Sequence, residues 1–263
     1  MVLIKRESPA GKPVSLFITC IMDMIYPQTG MSIVEILEHL GVEVRFPADQ
    51  TCCGQPAFNS GYRADAKTVA KQFLGAFADA QVIVTGSGSC AAMVRHEYPA
   101  LFEDDPEWAE RARQIASITW EFTEYLVDGL GVTDLGLSLP AKRDLAFHDA
   151  CHGMRLLGLG AAARKLTENL GNAEIHELNE HDVCCGFGGL FSLKMPEVSN
   201  AMLEKKIACI EVSDATVIVT GDASCLTQMN GGLTRKKSRK RVVHIADLLA
   251  EGLKGKAHAD SVE

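Results

Sequence analysis

The 263-residue sequence lacks the marks of several common protein classes. No apolar run approaches the ~20 residues of a membrane-spanning helix, and residues 1–7 lack the apolar core of a secretory signal. Lys and Arg total 26 against 34 Asp and Glu, so the net charge of −8 argues against nucleic-acid binding, which needs a basic surface. We expect a cytoplasmic protein that binds no nucleic acid and reaches a membrane only through partners.

Nucleotide-binding and zinc signatures are also scarce. There is no Walker loop, and the glycines after Cys185 do not form the dinucleotide fingerprint, because a cysteine pair precedes them instead of a strand. The short Cys-x2-4-Cys turns typical of zinc sites are missing as well. The chain therefore carries no recognisable motif for flavin or nicotinamide chemistry.

Cysteine, in contrast, is plentiful and regularly spaced. Eight of the nine cysteines form two sets with one pattern, a single cysteine, a Cys-Cys-Gly triplet and a further single cysteine. The sets are Cys20, Cys52, Cys53 and Cys90, and Cys151, Cys184, Cys185 and Cys225. Disulfides are rare in the reducing cytoplasm, so the pattern favours metal binding over disulfides.

The surrounding sequence repeats with the cysteines. Residues 79–86 read DAQVIVTG and residues 214–221 read DATVIVTG, and short strand-like and helix-like segments alternate in the same order in both halves. Such alternation predicts an α/β fold with a parallel sheet. We expect two pseudo-symmetric repeated domains, each a small parallel sheet flanked by helices, at residues 14–130 and 143–254, joined by a linker at residues 129–143.

Each cysteine or cysteine pair of the two sets follows a predicted strand. Ligands of parallel sheets bind beyond the carboxyl ends of the strands, so four cysteines can converge in each half. Thiolates select zinc, copper(I) and iron–sulfur clusters. Adjacent cysteines suit the several irons of a cluster better than one tetrahedral zinc, although a structural zinc, a vicinal disulfide and simple core packing remain alternatives.

The Cys-x31-39-Cys-Cys-Gly pattern resembles the cysteine-rich, or CCG, domain family. That family includes the cluster-bearing subunit of heterodisulfide reductase and iron–sulfur subunits of glycolate and glycerol-3-phosphate dehydrogenases. A chain of this length with two such domains is similar to the small iron–sulfur subunit of a three-protein system for L-lactate oxidation. The resemblance implies iron–sulfur clusters of the [4Fe–4S] type, up to two per chain, held by the eight cysteines.

The resemblance also implies a role and partners. We expect an electron-transfer subunit of a complex that oxidises L-lactate to pyruvate, inactive alone and working with a ferredoxin-like iron–sulfur protein and a third subunit. The alternatives are a thiol–disulfide oxidoreductase of the heterodisulfide reductase type, the iron–sulfur subunit of a glycolate-type dehydrogenase, and a protein whose metal is structural.

The chain departs from the fuller family motif, which ends in Cys-x-x-Cys. Here Ser87 and Asp222 stand where that motif has its first cysteine, leaving four thiolates per set and putting disulfide cleavage in doubt. Either residue could supply an oxygen ligand. His148 and His152 flank Cys151 and could donate hydrogen bonds to a cluster or carry protons. The ninth cysteine, Cys209, lies on a predicted helix and is expected to pack in the core.

Overall fold

The computed structural model describes residues 6–260, and these form two halves of similar construction. The elements of the first half are β1 (Val14–Phe17), α1 (Cys20–Ile25), α2 (Pro27–His39), β2 (Val44–Arg45), α3 (Gln55–Asn59), α4 (Arg63–Ala76), β3 (Val82–Thr85), α5 (Gly88–Ala92), α6 (Tyr98–Leu101), α7 (Pro106–Ile118), β4 (Thr119–Glu121) and α8 (Phe122–Glu124). Two π-helical turns, Met93–Glu97 and Tyr125–Gly129, extend α5 and α8.

The second half repeats this alternation. Its elements are β5 (Ser138–Phe147), α9 (Cys151–Leu157), α10 (Ala161–Glu168), β6 (Gly171–Ile175), α11 (Phe191–Lys194), α12 (Pro196–Val212), β7 (Val217–Thr220), α13 (Ala223–Arg235), β8 (Arg241–His244) and α14 (Ile245–Asp260).

Each half contains a four-stranded parallel sheet. The strand orders are β2-β1-β3-β4 and β6-β5-β7-β8, so the first strand of each half lies inside its sheet between the second and third. In such sheets the crevice beside the first strand, where the connections leave in opposite directions, is the usual ligand site. The predicted α/β class with two repeated parallel sheets is confirmed.

The repeated Val-Ile-Val-Thr segments form the matching strands β3 and β7, in which every residue is buried. Continuous β-branched runs suit strands covered on both faces, which explains why neither segment alternates with polar residues. Both segments end at a glycine that leads into a short loop and then a helix, α5 in one half and α13 in the other. The third strand of each half thereby delivers a helix N-terminus to the same edge of its sheet.

The two halves share a hydrophobic core, and each half also has a smaller buried cluster of its own. The largest buried cluster combines residues of both sheets, among them Val14, Val84, Leu145 and Val219. Helix α14, at the end of the chain, packs against α2 of the first half as well as against β5. The buried imidazole of His244 places Nε2 2.8 Å from the Gly86 carbonyl oxygen across the boundary. The halves therefore bury each other's apolar surface.

The connection between the halves is shorter than the linker expected from the sequence. Strand β5 already begins at Ser138, because Leu137 and Leu139 are buried in the shared core. Leu135, also inside the expected linker, is buried there too. Residues 138–143 therefore belong to the second sheet, which corrects the linker prediction.

Within residues 6–260 no helix combines the length and the apolar content needed to cross a bilayer.

Candidate metal centre

Equivalent elements carry the cysteines of the two sets. Cys20 and Cys151 are the first residues of α1 and α9, directly after the first strand of each half. Each Cys-Cys pair lies in the loop after the second strand, and Cys90 and Cys225 lie in the first turn of α5 and α13. The strand order brings these three places together at the carboxyl edge of each sheet.

The four sulfurs of the first set lie close together. The Sγ atoms of Cys20 and Cys52 are 3.5 Å apart, and those of Cys53 and Cys90 are 3.4 Å apart. All four thiols are free, with Cys53 and Cys90 buried and the other two partly exposed.

The second set has the same arrangement. The Sγ atoms of Cys185 and Cys225 are 3.3 Å apart and buried, whereas Cys151 and Cys184 are partly exposed. Both sets thus present two sulfurs at the bottom and two at the rim of the site. The structure brings together all eight cysteines that the sequence singled out.

Both sets face one cleft between the halves, of about 710 Å³ with its opening to solvent included. Its lining contains all eight cysteines, together with Thr19, Ile21, Gln55, Pro56, Asn59, Ser89, Ala150, His152, Phe187, Gly188, Gly189, Asp222 and Ser224. The sequence predicted that four cysteines would come together in each half. The fold places both of these sets in the lining of one cleft.

The thiols in each set shift one another's proton affinity. The Cys20 and Cys53 side chains donate to the Cys52 sulfur and hold the pKa of Cys52 well below its usual range. The same bond, followed by burial, raises the pKa of Cys20. In the second set, Cys184 has a lowered pKa for the same reason, with Cys151 as the first donor. Each set therefore contains one readily ionised thiol, stabilised by neighbouring thiols that keep their protons.

A glycine after each cysteine pair completes the local geometry. Gly54 and Gly186 have φ angles of 78° and 89°, which favour glycine, and each donates its backbone N–H to the sulfur of Cys52 or Cys184 at 3.4 Å. A Cβ atom on Gly186 would lie 2.6 Å from the Ser199 carbonyl oxygen. Both turns therefore depend on glycine and aim a donor at a sulfur.

Ser87 and Asp222, at the two positions where the family motif has a further cysteine, bind each other. The Ser87 hydroxyl donates to Asp222 Oδ2 at 3.1 Å, and the Ser89 backbone N–H donates to the same oxygen at 2.9 Å. Ser87 also caps α5 by accepting from the Cys90 N–H, and Asp222 caps α13 by accepting from the Ser224 N–H. Both side chains are buried, so they lock two helix N-termini together across the boundary.

The two histidines beside Cys151 occupy different places. His152 lines the cleft, with Nδ1 3.6 Å from the Cys151 sulfur. His148 is buried, with Nδ1 3.1 Å from the His181 carbonyl oxygen and Nε2 without a partner. Burial and then the nearby Lys206 ammonium lower the pKa of His148 to about 4, so its imidazole is neutral near pH 7.

The sequence identified both histidines but not Lys206. This buried lysine donates from its ammonium group to the Glu180 carbonyl.

The ninth cysteine stays apart from the two sets. Cys209 lies on α12 at the margin of the second half's core, partly exposed, and its thiol is 3.7 Å from Glu180 Oε2. The sequence placed it inside the core, as its counterpart Leu74 is. The side chain instead packs against only the edge of the core and pairs with a surface carboxylate.

The donor set fits a thiolate-bound metal group. Each half offers four free thiols within one small region, lowered pKa values for one thiol of each set, and a backbone N–H aimed at a sulfur. Iron–sulfur clusters are held by cysteine thiolates and tuned by hydrogen bonds to sulfur, and both features are present twice.

The cysteine-rich domain (CCG) family matches residues 14–95 and again residues 145–230. The two matches together span more than half of the chain and contain all eight cysteines of the two sets.

Similar proteins were found among curated sequences. Lactate utilization protein A of Exiguobacterium sp. is 48% identical over 243 residues, 92% of this chain and 98% of that protein. The proteins of the same name from Bacillus velezensis and Bacillus subtilis are 47% and 45% identical over 236 residues, each 90% of this chain and 98% of the relative. The alignments therefore cover nearly the full length of both partners.

A solved structure supports the fold. A hypothetical protein from Helicobacter pylori aligns with a TM-score of 0.56 at 11% identity, covering 92% of this chain and 49% of that one. At this identity the likeness concerns the fold alone.

Proposed function

The chain belongs to the cysteine-rich domain (CCG) family and, within it, groups with lactate utilization protein A; from this membership we propose that it is an iron–sulfur electron-transfer subunit of a system that oxidises L-lactate to pyruvate. One observation carries the proposal. Two matched sets of four free thiols converge on a common cleft, in a chain whose relatives are named for lactate utilization.

We assign one [4Fe–4S] cluster to each set, two per chain, with the eight cysteines as ligands. A bound cluster supplies reversible one-electron transfer, so two of them match the two electrons released when lactate becomes pyruvate. The chain's own residues hold and tune the clusters. Cys53, Cys90, Cys185 and Cys225 provide buried sulfurs, and the glycine N–H groups supply hydrogen bonds that favour the anionic form of the sulfur.

We propose that partner proteins carry out the chemistry on L-lactate and that this chain transfers the electrons. Relatives named lactate utilization protein A support a multi-protein system, and we propose a ferredoxin-like iron–sulfur protein and a third subunit as the other members. The purified chain alone is expected to show no lactate dehydrogenase activity. The thiol–disulfide alternative loses support, because the two positions of the missing cysteines are committed to the Ser87–Asp222 hydrogen bond.

The first test is cluster content in protein purified without oxygen. We expect about four irons and four sulfides per cysteine set, together with an EPR signal that appears on reduction. Replacing Cys184 with Ser should remove about half of the iron, because only the second set loses a thiolate. The matched control is Cys209→Ser, which changes the one cysteine outside the sets and should leave the iron unchanged.

The metal content and the reduction by L-lactate test the electron-transfer role and the substrate assignment separately. A folded, reconstituted protein that binds zinc or no metal would refute the electron-transfer role. Full iron that L-lactate and the partner proteins fail to reduce would instead refute the substrate assignment and leave the iron–sulfur assignment intact.

A further inference from the structure

Lys206 is a buried cation on α12. Its side chain is fully buried, and over residues 6–255 it is the only lysine or arginine in the buried class. Its ammonium donates to the Glu180 carbonyl oxygen and forms no ion pair with any carboxylate of the described residues, whereas the neighbouring Lys205 pairs with the Glu180 carboxylate at 2.8 Å. A buried charge is costly unless an opposite charge lies near it, so the anion that balances Lys206 must be sought among its other neighbours.

Lys206 lies on the face of α12 that packs against the second cysteine set. Leu203 and Ile207, on the same buried face, belong to one apolar cluster with Cys185 and Cys225. The carbonyl that accepts from the ammonium belongs to the loop that carries the cysteine pair. The helix therefore holds its lysine against that loop.

The charge interactions of Lys206 agree with this position. Burial lowers the pKa of Lys206, and this shift is opposed by interactions with four nearby acidic groups, Cys209, Cys185, Asp182 and Cys225. Two of these groups are buried sulfurs of the second set. A cluster held by four thiolates is an anion, and each electron that it accepts adds a negative charge. A cation close to such a cluster therefore favours its reduced form.

The first half has a phenyl ring in the equivalent place. The buried residues of the two helices share one spacing, Ala66, Ala70, Phe73 and Leu74 on α4 and Ser199, Leu203, Lys206 and Ile207 on α12. Phe73 is fully buried and shares an apolar cluster with Cys53 and Cys90. Alignment through the third strands would pair Lys206 with Lys71 instead, but Lys71 is partly exposed and does not occupy the buried place. The two cysteine sets thus differ by one buried charge.

We propose that Lys206 raises the reduction potential of the second centre above that of the first. The inference rests on the proposed iron–sulfur function, and it makes Lys206 a residue that tunes the cluster without binding it. An electron shared between the two centres then lies mainly on the second. Transfer within the chain is therefore favourable from a reduced first centre to an oxidised second centre.

The test is a potentiometric titration of the holoprotein, followed by EPR of the reduced centres. Lys206→Met removes the charge and keeps an unbranched side chain in the buried place. We expect the higher of the two midpoint potentials to fall by about 59 mV, a tenfold change for a one-electron couple, and the lower to stay. Lys206→Gln, which keeps an N–H donor for the Glu180 carbonyl, should lower the same potential, because the charge is lost in both variants.

Lys205→Met is the matched control. It removes the same charge from the adjacent residue, whose side chain is 60% exposed, and should leave both potentials unchanged. Cys184→Ser assigns the potentials without altering Lys206, because it removes the second centre and should leave only the lower potential.

Three results would overturn the inference and spare the proposed function: unchanged potentials in both Lys206 variants, equal shifts in the Lys205 and Lys206 variants, or survival of the higher potential in Cys184→Ser. Wild-type protein without iron would overturn both. If the Lys206 variants fail to bind iron, the titrations of wild-type protein and Cys184→Ser decide the order of the two potentials, and a second centre at or below the first refutes the proposal.

Discussion

The carboxylate of Asp222 accepts hydrogen bonds from both halves of the chain. Its partners are the Ser224 N–H at 3.0 Å in its own half, and the Ser87 hydroxyl and Ser89 N–H across the boundary. Two helix N-termini thus converge on one buried anion, which their partial positive charges stabilise. With its oxygens used in this way, Asp222 serves the interface and is not needed as a ligand.

Replacing Asp222 with Ala should therefore weaken the fold more than it weakens metal binding. We expect a loss of about 2–4 kcal/mol in the free energy of unfolding, because a cap is lost and buried donors are left unpaired. Urea unfolding of the reduced apoprotein measures this loss. Ser87→Ala is the matched comparison and should cost about 1 kcal/mol, since it removes a single neutral hydroxyl.

The iron content of reconstituted Asp222→Ala distinguishes the two roles. Iron at the wild-type level is the expected result. A loss of iron from one set in protein that is still folded would show that the carboxylate is a ligand.

At the scale of elements, two short helices cross where the halves meet. Helix α5 carries Cys90 and α9 begins at Cys151, and the two contact each other through Gly88 and Gly153. A Cβ atom at Gly88 would lie 3.0 Å from the Gly153 Cα atom, closer than side chains normally approach backbone. The absence of side chains at this crossing lets the two cysteine-bearing helices come together.

Gly88→Ala should push these helices apart. We expect a loss of about 1–3 kcal/mol in the free energy of unfolding from overpacking. Gly231→Ala is the control, because Gly231 lies within α13 and nothing would contact its Cβ atom within 4 Å. That change should stabilise the protein by about 0.5–1 kcal/mol through helix propensity. Equal effects of both substitutions in urea titrations would contradict the close-approach explanation.

Most helices and strands could be predicted from the local sequence. The two Val-Ile-Val-Thr strands were predicted from their β-branched runs, and the alternation of strands and helices followed from the repeat. The start of β5 at Ser138 was missed, because the segment's glycines and proline indicate a loop. Its strand character comes from burial of Leu137 and Leu139 against distant parts of the chain.

At the scale of the whole molecule, the repeated halves form one packing unit. The shared core joins both sheets, and α14 of the second half covers α2 of the first. Thr29 donates to Asp247 at 2.8 Å across the same contact. The largest part of each half's apolar surface is therefore buried against the other half, even though each half has its own sheet and a smaller cluster of its own.

We accordingly expect the two halves to unfold together. Both tryptophans, Trp108 and Trp120, lie in the first half, so their fluorescence reports on that half, whereas far-UV circular dichroism reports on both. The two urea transitions of the reduced apoprotein should coincide within error. A dichroism transition that continues after the fluorescence change is complete would show that the second half is independently stable.

The order of amino acids was enough to identify the eight cysteines, their two sets, the repeated α/β architecture and the chemistry of soft thiolate ligands. These follow from spacing, composition and local pattern, because strand ends carry the cysteines to one edge of each sheet. The packed fold was needed to show that both sets share a cleft, that Ser87 binds Asp222 across 135 residues, and that His148 is buried with one ring nitrogen unpaired. Those facts depend on how two complementary surfaces pack, and packing between distant segments leaves no periodic signal in the chain.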